Sequence, residues 1–91
     1  MIRLNCFFQA NEGLYTQGLE AAIALTAKSQ QHEGCIAYDV FESATRPDIC
    51  MICETWASQE ALDKHSATPE FTEYVSVIQA SGLMKIEKFE F

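Results

Sequence analysis

No apolar run in this chain approaches the ~20 residues that a bilayer-spanning helix needs, so no helical membrane span is expected. Basic residues are scarce: 6 Lys and Arg stand against 13 Asp and Glu, a formal charge of −7. Such a surface repels phosphate backbones and anionic lipid, which argues against nucleic acid and membrane surfaces as partners. The chain also lacks a Gly-rich phosphate loop, a paired-histidine metal motif and a nucleophile elbow. The opening Met1-Ile2-Arg3-Leu4-Asn5 has none of the basic, apolar and small-residue segments of a secretory signal. With only 4 glycines and 2 prolines, 48% hydrophobic and 21% charged residues, the composition is neither disordered nor fibrous. Its 91 residues suit a single domain, 1–91.

What is present begins with four cysteines, Cys6, Cys35, Cys50 and Cys53, all inside apolar stretches. Cys50-Met51-Ile52-Cys53 has the spacing of a metal-binding pair, but Asp48 to Trp56 reads as a strand. Side chains alternate faces along a strand, so an offset of three sends the two sulfurs to opposite sides. Buried reduced thiols are expected, with no metal, and they fit a cytoplasmic address.

Glycine and proline punctuate the chain at Gly13, Gly34, Pro47, Pro69 and Gly82. Ile2 to Phe8 alternates as a strand, with Ile2, Leu4, Cys6 and Phe8 on one face and Arg3, Asn5 and Phe7 on the other. Leu14 to Gln31 has helical spacing, with a stripe of Tyr15, Leu19, Ala22, Ile23 and Thr26. His32, just before Gly34, is expected to stabilise the end of that helix. Cys35 to Ser43 predicts a second strand with Ile36, Tyr38 and Val40 on one face, and Ile49 to Trp56 a third. The short link between them, Ala44 to Asp48, makes an antiparallel hairpin. Ser58 is placed to cap a helix carrying Ala61, Leu62 and His65 on one side, and Thr68-Pro69-Glu70 restarts it. Phe71, Tyr74, Val75 and Ile78 then form an amphipathic stripe, and Leu83 to Phe91 closes as a last strand.

The order strand, helix, strand, strand, helix, strand is the α+β, ferredoxin-like βαββαβ arrangement, a four-stranded antiparallel sheet with its helices on one face. The other face would be polar in a monomer. Strand three is instead apolar on both sides (Ile49, Met51, Cys53 against Cys50, Ile52, Trp56), and Phe41 stands opposite Tyr38. Sheet-to-sheet homodimerisation is the simplest cover for that second surface.

Few polar groups fall on apolar faces. His65 points with Ala61 and Leu62 toward the sheet. It is either an acid–base group for a bound substrate or a core histidine bonded to a backbone carbonyl. Glu54 shares a strand face with Trp56; it is a general base in a pocket or, the reading we favour, a partner for an ion pair or backbone N–H at a subunit interface. Tyr38 and Tyr74 each offer a hydroxyl to a ligand or to a structural hydrogen bond.

Glu33-Gly34-Cys35-Ile36-Ala37-Tyr38-Asp39-Val40, Glu54-Thr55-Trp56, Ala61-Leu62-Asp63-Lys64-His65 and Thr68-Pro69-Glu70-Phe71 resemble the antibiotic biosynthesis monooxygenase domain family. The resemblance covers nearly the whole chain and implies a dimeric α+β barrel. His65 matches the family's helix histidine, Trp56 its tryptophan and Tyr38 the tyrosine after G-C. Many relatives carry a second histidine just before the phenylalanine that matches Phe71, where this chain has Glu70. The haem-degrading branch has tryptophan in place of His65 and a histidine near Val75, so haem is not implied.

The resemblance implies oxygenation without metal, flavin or other cofactor. An electron-rich aromatic, such as a hydroquinone or polyketide phenol, loses a proton and reduces O₂ itself. The protein then supplies a dry pocket and an acid–base group. Leu4, Phe8, Phe71, Tyr74 and Ile78 are expected to wall that pocket, with Tyr38 and Trp56 at the substrate and His65 as base. Two further readings stay open: a proton-shuffling isomerase of a small carbonyl metabolite, and a non-catalytic dimeric binding or stress-response module. Phe8 and Tyr74 filling the pocket would be the sign of the last.

Overall fold

Alternation of apolar side chains in the first segment carries through as β1 (Ile2–Ala10) in the computed structural model, which describes residues 1–91. It is followed by α1 (Tyr15–Ser29), β2 (Cys35–Glu42), β3 (Ile49–Trp56), α2 (Gln59–Ser66), α3 (Pro69–Ser81) and β4 (Gly82–Glu90). The strands form one antiparallel sheet in the order β2-β3-β1-β4. This is the expected ferredoxin-like arrangement. Register places four rows toward the helices: Cys35–Trp56–Ile2–Glu90, Tyr38–Glu54–Leu4–Lys88, Val40–Ile52–Cys6–Ile86 and Glu42–Cys50–Phe8–Met84. The core lies between these rows and the helices, where Phe8, Leu25, Ile52, Trp56 and Ile78 are all buried.

Both caps in the second half form as their residue types dictate. The Ser58 hydroxyl accepts the Ala61 N–H and opens α2; the Thr68 hydroxyl accepts the Phe71 N–H and opens α3, with Pro69 at a position that needs no donor.

Three local expectations are corrected. The first helix ends at Ser29, so His32 lies in the loop beyond it; its backbone N–H reaches back to the Ser29 carbonyl at 3.0 Å, but its side chain turns to His65 and does not cap the helix. Its buried face is Gly18, Ala21, Ala22, Leu25 and Ser29, whereas Ile23 is 54% exposed. Small residues define that face because the helix rides directly on the sheet: a Cβ at Gly18 would stand 2.4 Å from the Phe8 ring. In β2 an irregularity between Cys35 and Ala37, opposite Trp56 and Thr55, shifts the alternation. Cys35 therefore joins the row that faces the helices, ahead of Tyr38 and Val40, while Ile36 turns outward and is 55% exposed. Gly34, with φ +82°, makes the sharp entry into that strand, and its missing Cβ lets Ala61 of α2 approach.

The face away from the helices carries no helix. Across it runs the row Phe41–Met51–Phe7–Lys85, with Leu83 and Phe89 nearby. Phe41, Leu83 and Phe89 are large, apolar and exposed. All four cysteines are free, and Cys50 and Cys53 sit on opposite faces of β3 as the alternation requires. No helix is long and apolar enough to cross a membrane.

Candidate functional site

Between the two middle rows of the sheet and the helices lies a cavity of about 430 Å³. Leu4, Cys6, Ile52 and Glu54 form its floor, Leu25, Leu62, Phe71 and Ile78 its helical wall, and Tyr38 one end. Gln59, Asp63 and Gln79, all exposed, stand at the rim. The volume suits one or two fused rings, and eleven of the sixteen lining residues are hydrophobic.

Glu54 is the one buried carboxylate of this cavity. It was expected at a subunit interface and is instead in the layer facing the helices, 4% exposed. Alternation along β3 alone does not decide this, because both faces of that strand are apolar. Pairing with Leu4 of β1, whose inward set is unambiguous, decides it. The Trp56 indole N–H donates to one Glu54 oxygen at 2.9 Å, and the Cys6 thiol donates to the other at 3.8 Å. Burial raises the carboxyl above the ordinary carboxylate range; hydrogen bonds from Trp56, Tyr38 and Cys6 only partly offset it. Burial and the Glu54 charge in turn push the Cys6 thiol and the Tyr38 phenol up, so both stay protonated. The arrangement is a carboxylate that holds a proton more readily than an exposed one, in a mostly apolar pocket, beside hydroxyl and thiol donors.

The structure brings together only some of the expected site residues. Tyr38 and Phe71 line the cavity. Trp56 and His65 lie one ring behind it: His65 packs on Trp56 (centroids 4.4 Å apart) and against Phe71 (5.1 Å) and Tyr38 (5.7 Å). Phe8 and Tyr74 do not reach it. Phe8 stacks on Tyr15 at 6.5 Å, and Tyr74 borders a surface hollow with Gln17 and Ala21. They leave the cavity open rather than filling it.

His65 is 1% exposed, and its Nδ1 is 2.9 Å from Nδ1 of His32. Neither a backbone carbonyl nor any other group meets its Nε2. His32 in turn stands 3.9 Å from Glu70. Sequence reading missed His32 here, because a loop residue carries no periodicity; the histidine count of 2 was the only available signal. Burial, then the His32 ring, lower the His65 pKa from 6.5 to about 4, against the pull of Glu70. The unfolded chain therefore takes up this proton first as pH falls. The stabilisation is complete above pH 6.5 and is lost progressively down to about 4, a change of about 3 kcal/mol. Urea unfolding of the wild type and His65→Leu across that window checks this. Between pH 6.5 and about 4 the wild type is expected to lose about 3 kcal/mol more stability than the variant, because the other titrating groups are common to both.

No group of three or more His, Cys, Asp or Glu side chains is placed to hold a metal ion. The family model described as antibiotic biosynthesis monooxygenase matches residues 1–77. Among solved structures, a Bacteroides thetaiotaomicron VPI-5482 protein is 54% identical and superposes with a TM-score of 0.96, covering 99% of this chain and 96% of that one. It is described as a conserved protein of unknown function and "possible oxidoreductase". A second, described as an antibiotic biosynthesis monooxygenase, is 26% identical with a TM-score of 0.91, covering 100% of this chain and 98% of that one. An uncharacterized Synechocystis protein is 38% identical over 47 residues, 52% of this chain. The match spans only 32% of that curated relative's length.

Proposed function

This chain belongs to the antibiotic biosynthesis monooxygenase family, and from that premise we propose that it oxygenates an electron-rich, hydroxylated aromatic such as a hydroquinone or a polyketide phenol, without metal or flavin. The observation that carries the reading is Glu54, a carboxylate with a raised pKa on the floor of an apolar, ring-sized cavity. A phenolic hydroxyl seated there gives its proton to Glu54. Tyr38 and Cys6 donors flank the charge that develops, and the surrounding apolar wall excludes water. The deprotonated ring, now electron-rich, reduces O₂. For a hydroquinone the balance is hydroquinone plus O₂ giving hydroxyquinone plus water. Phe71 and Tyr38 contact the ring, and Trp56 holds Glu54 from behind.

Oxygen uptake with a panel of hydroquinones and polycyclic phenols tests the reading. Turnover in air and silence under nitrogen are expected. Turnover that persists without oxygen would mark an isomerase instead.

A second copy of the chain is our proposed cover for the open sheet face. Leaving Phe41, Leu83 and Phe89 wet forgoes about 25 cal/mol for each Å² of apolar area. Sedimentation equilibrium is expected to return twice the 10.2 kDa subunit mass. Phe7→Glu, which places a charge on the central strand β1 of that face, should shift it to a single subunit with the helical content unchanged. On the strength of four free thiols we propose the cytoplasm as the compartment.

A further inference from the structure

We infer that Glu70, His32 and His65 form a chain that fixes the tautomer of His65, with His32 as the positioning residue, so that Nε2 of the buried imidazole is a bare proton acceptor one ring behind the cavity wall. The 2.9 Å contact between the two Nδ1 atoms requires a single proton between them. Two arrangements of neutral rings satisfy it.

In the first, His32 donates. Its Nε2 is then bare, and that lone pair faces the Glu70 carboxylate at 3.9 Å. His65 keeps its other proton on Nε2, a buried donor with no acceptor. In the second, His65 donates from Nδ1. His32 now carries its proton on Nε2, toward the carboxylate, and the only unmet atom is the Nε2 lone pair of His65. The second arrangement replaces a repulsion with an attraction. It also leaves an acceptor unpaired rather than an N–H, the rarer and costlier orphan in protein interiors.

Charges around the chain favour the same outcome. Lys28 helps hold Glu70 ionised, while Glu33 and Lys64, of opposite sign, share the rim of the shallow hollow where His32 meets His65. Trp56, Phe71 and Tyr38 cover the rest of the ring, and two of these three also line the cavity. Glu70 thus acts through an imidazole supplied by the loop before β2.

The tautomer does not depend on the proposed function, because His65 lies behind the cavity wall and does not line it. The closing experiment therefore reads the tautomer directly, by two-bond ¹⁵N–¹H correlation on the full ¹⁵N-labelled chain above neutrality. His65 is expected as the Nδ1–H form. His32→Phe should move it to the Nε2–H form, and Glu70→Gln should move it part of the way with the amide spectrum otherwise native. An Nε2–H form in the wild type, or a His65 signal unmoved by His32→Phe, overturns the inference. The expected tautomer in a chain that oxygenates nothing would sustain it and remove the proposed function alone.

Discussion

Glu54→Gln is expected to lower hydroquinone turnover by about 10²–10⁴-fold, the range that loss of a general base produces. Glutamine keeps the shape and an oxygen for the Trp56 indole N–H, so the cavity and its affinity for a neutral ring should change little. A fall in kcat with KM nearly constant is the signature. The same variant makes a second, opposite-looking prediction about stability. Burial raises the Glu54 carboxyl in the folded chain, so folding favours its protonated form. The stability this contributes is present at low pH and lost as pH rises through the folded value. Removing the charge removes that loss. Glu54→Gln should thus unfold at an equal or higher temperature than the wild type at neutral pH, with the advantage shrinking as the solution is acidified toward the ordinary carboxylate range. A variant that is inactive because it is misfolded would show the reverse.

Trp56→Ala carries the largest expected cost to the fold. The indole is fully buried, donates to Glu54 and packs against His65 with centroids 4.4 Å apart. Truncating a buried aromatic of this size costs about 3–5 kcal/mol. In a domain of this length that corresponds to a melting temperature lower by roughly 20 °C. Trp56→Phe separates packing from polarity. It retains the ring against His65 and Tyr38 but deletes the N–H that partly restrains the Glu54 pKa. Most of the melting temperature should return, while the acidic limb of any pH–rate profile moves upward. Differential scanning calorimetry and that profile check the two halves.

Much of the architecture was legible from pattern alone, and particular residues show why. Ser58 and Thr68 cap as written, because a hydroxyl three residues before an N–H is a local geometry that no distant contact needs to arrange. Cys50 and Cys53 part to opposite faces for the same local reason. The inner stripe of the first helix is only partly legible, since Gly18, Ala21 and Ser29 carry too little apolar area to mark a face. Their value lies in what they allow, the close approach to Phe8, and that is a property of the pair rather than of the helix. The irregularity in β2 and its outward Ile36 were invisible for a similar reason: a one-residue slip is set by the neighbouring strand.

For the candidate site the division is sharper. Local sequence determined that Glu54 and Trp56 share a face, that His65 points inward and that four antiparallel strands support helices on one side. Only the tertiary structure decided that the Glu54 face looks toward the helices, that the cavity stops one ring short of His65, and that His32 comes back across the loop to meet it. The physical reason is range. Hydrogen-bond caps and strand alternation are fixed by neighbours a few residues away, whereas pocket membership depends on which distant side chains converge, and that follows from register and packing across the whole sheet.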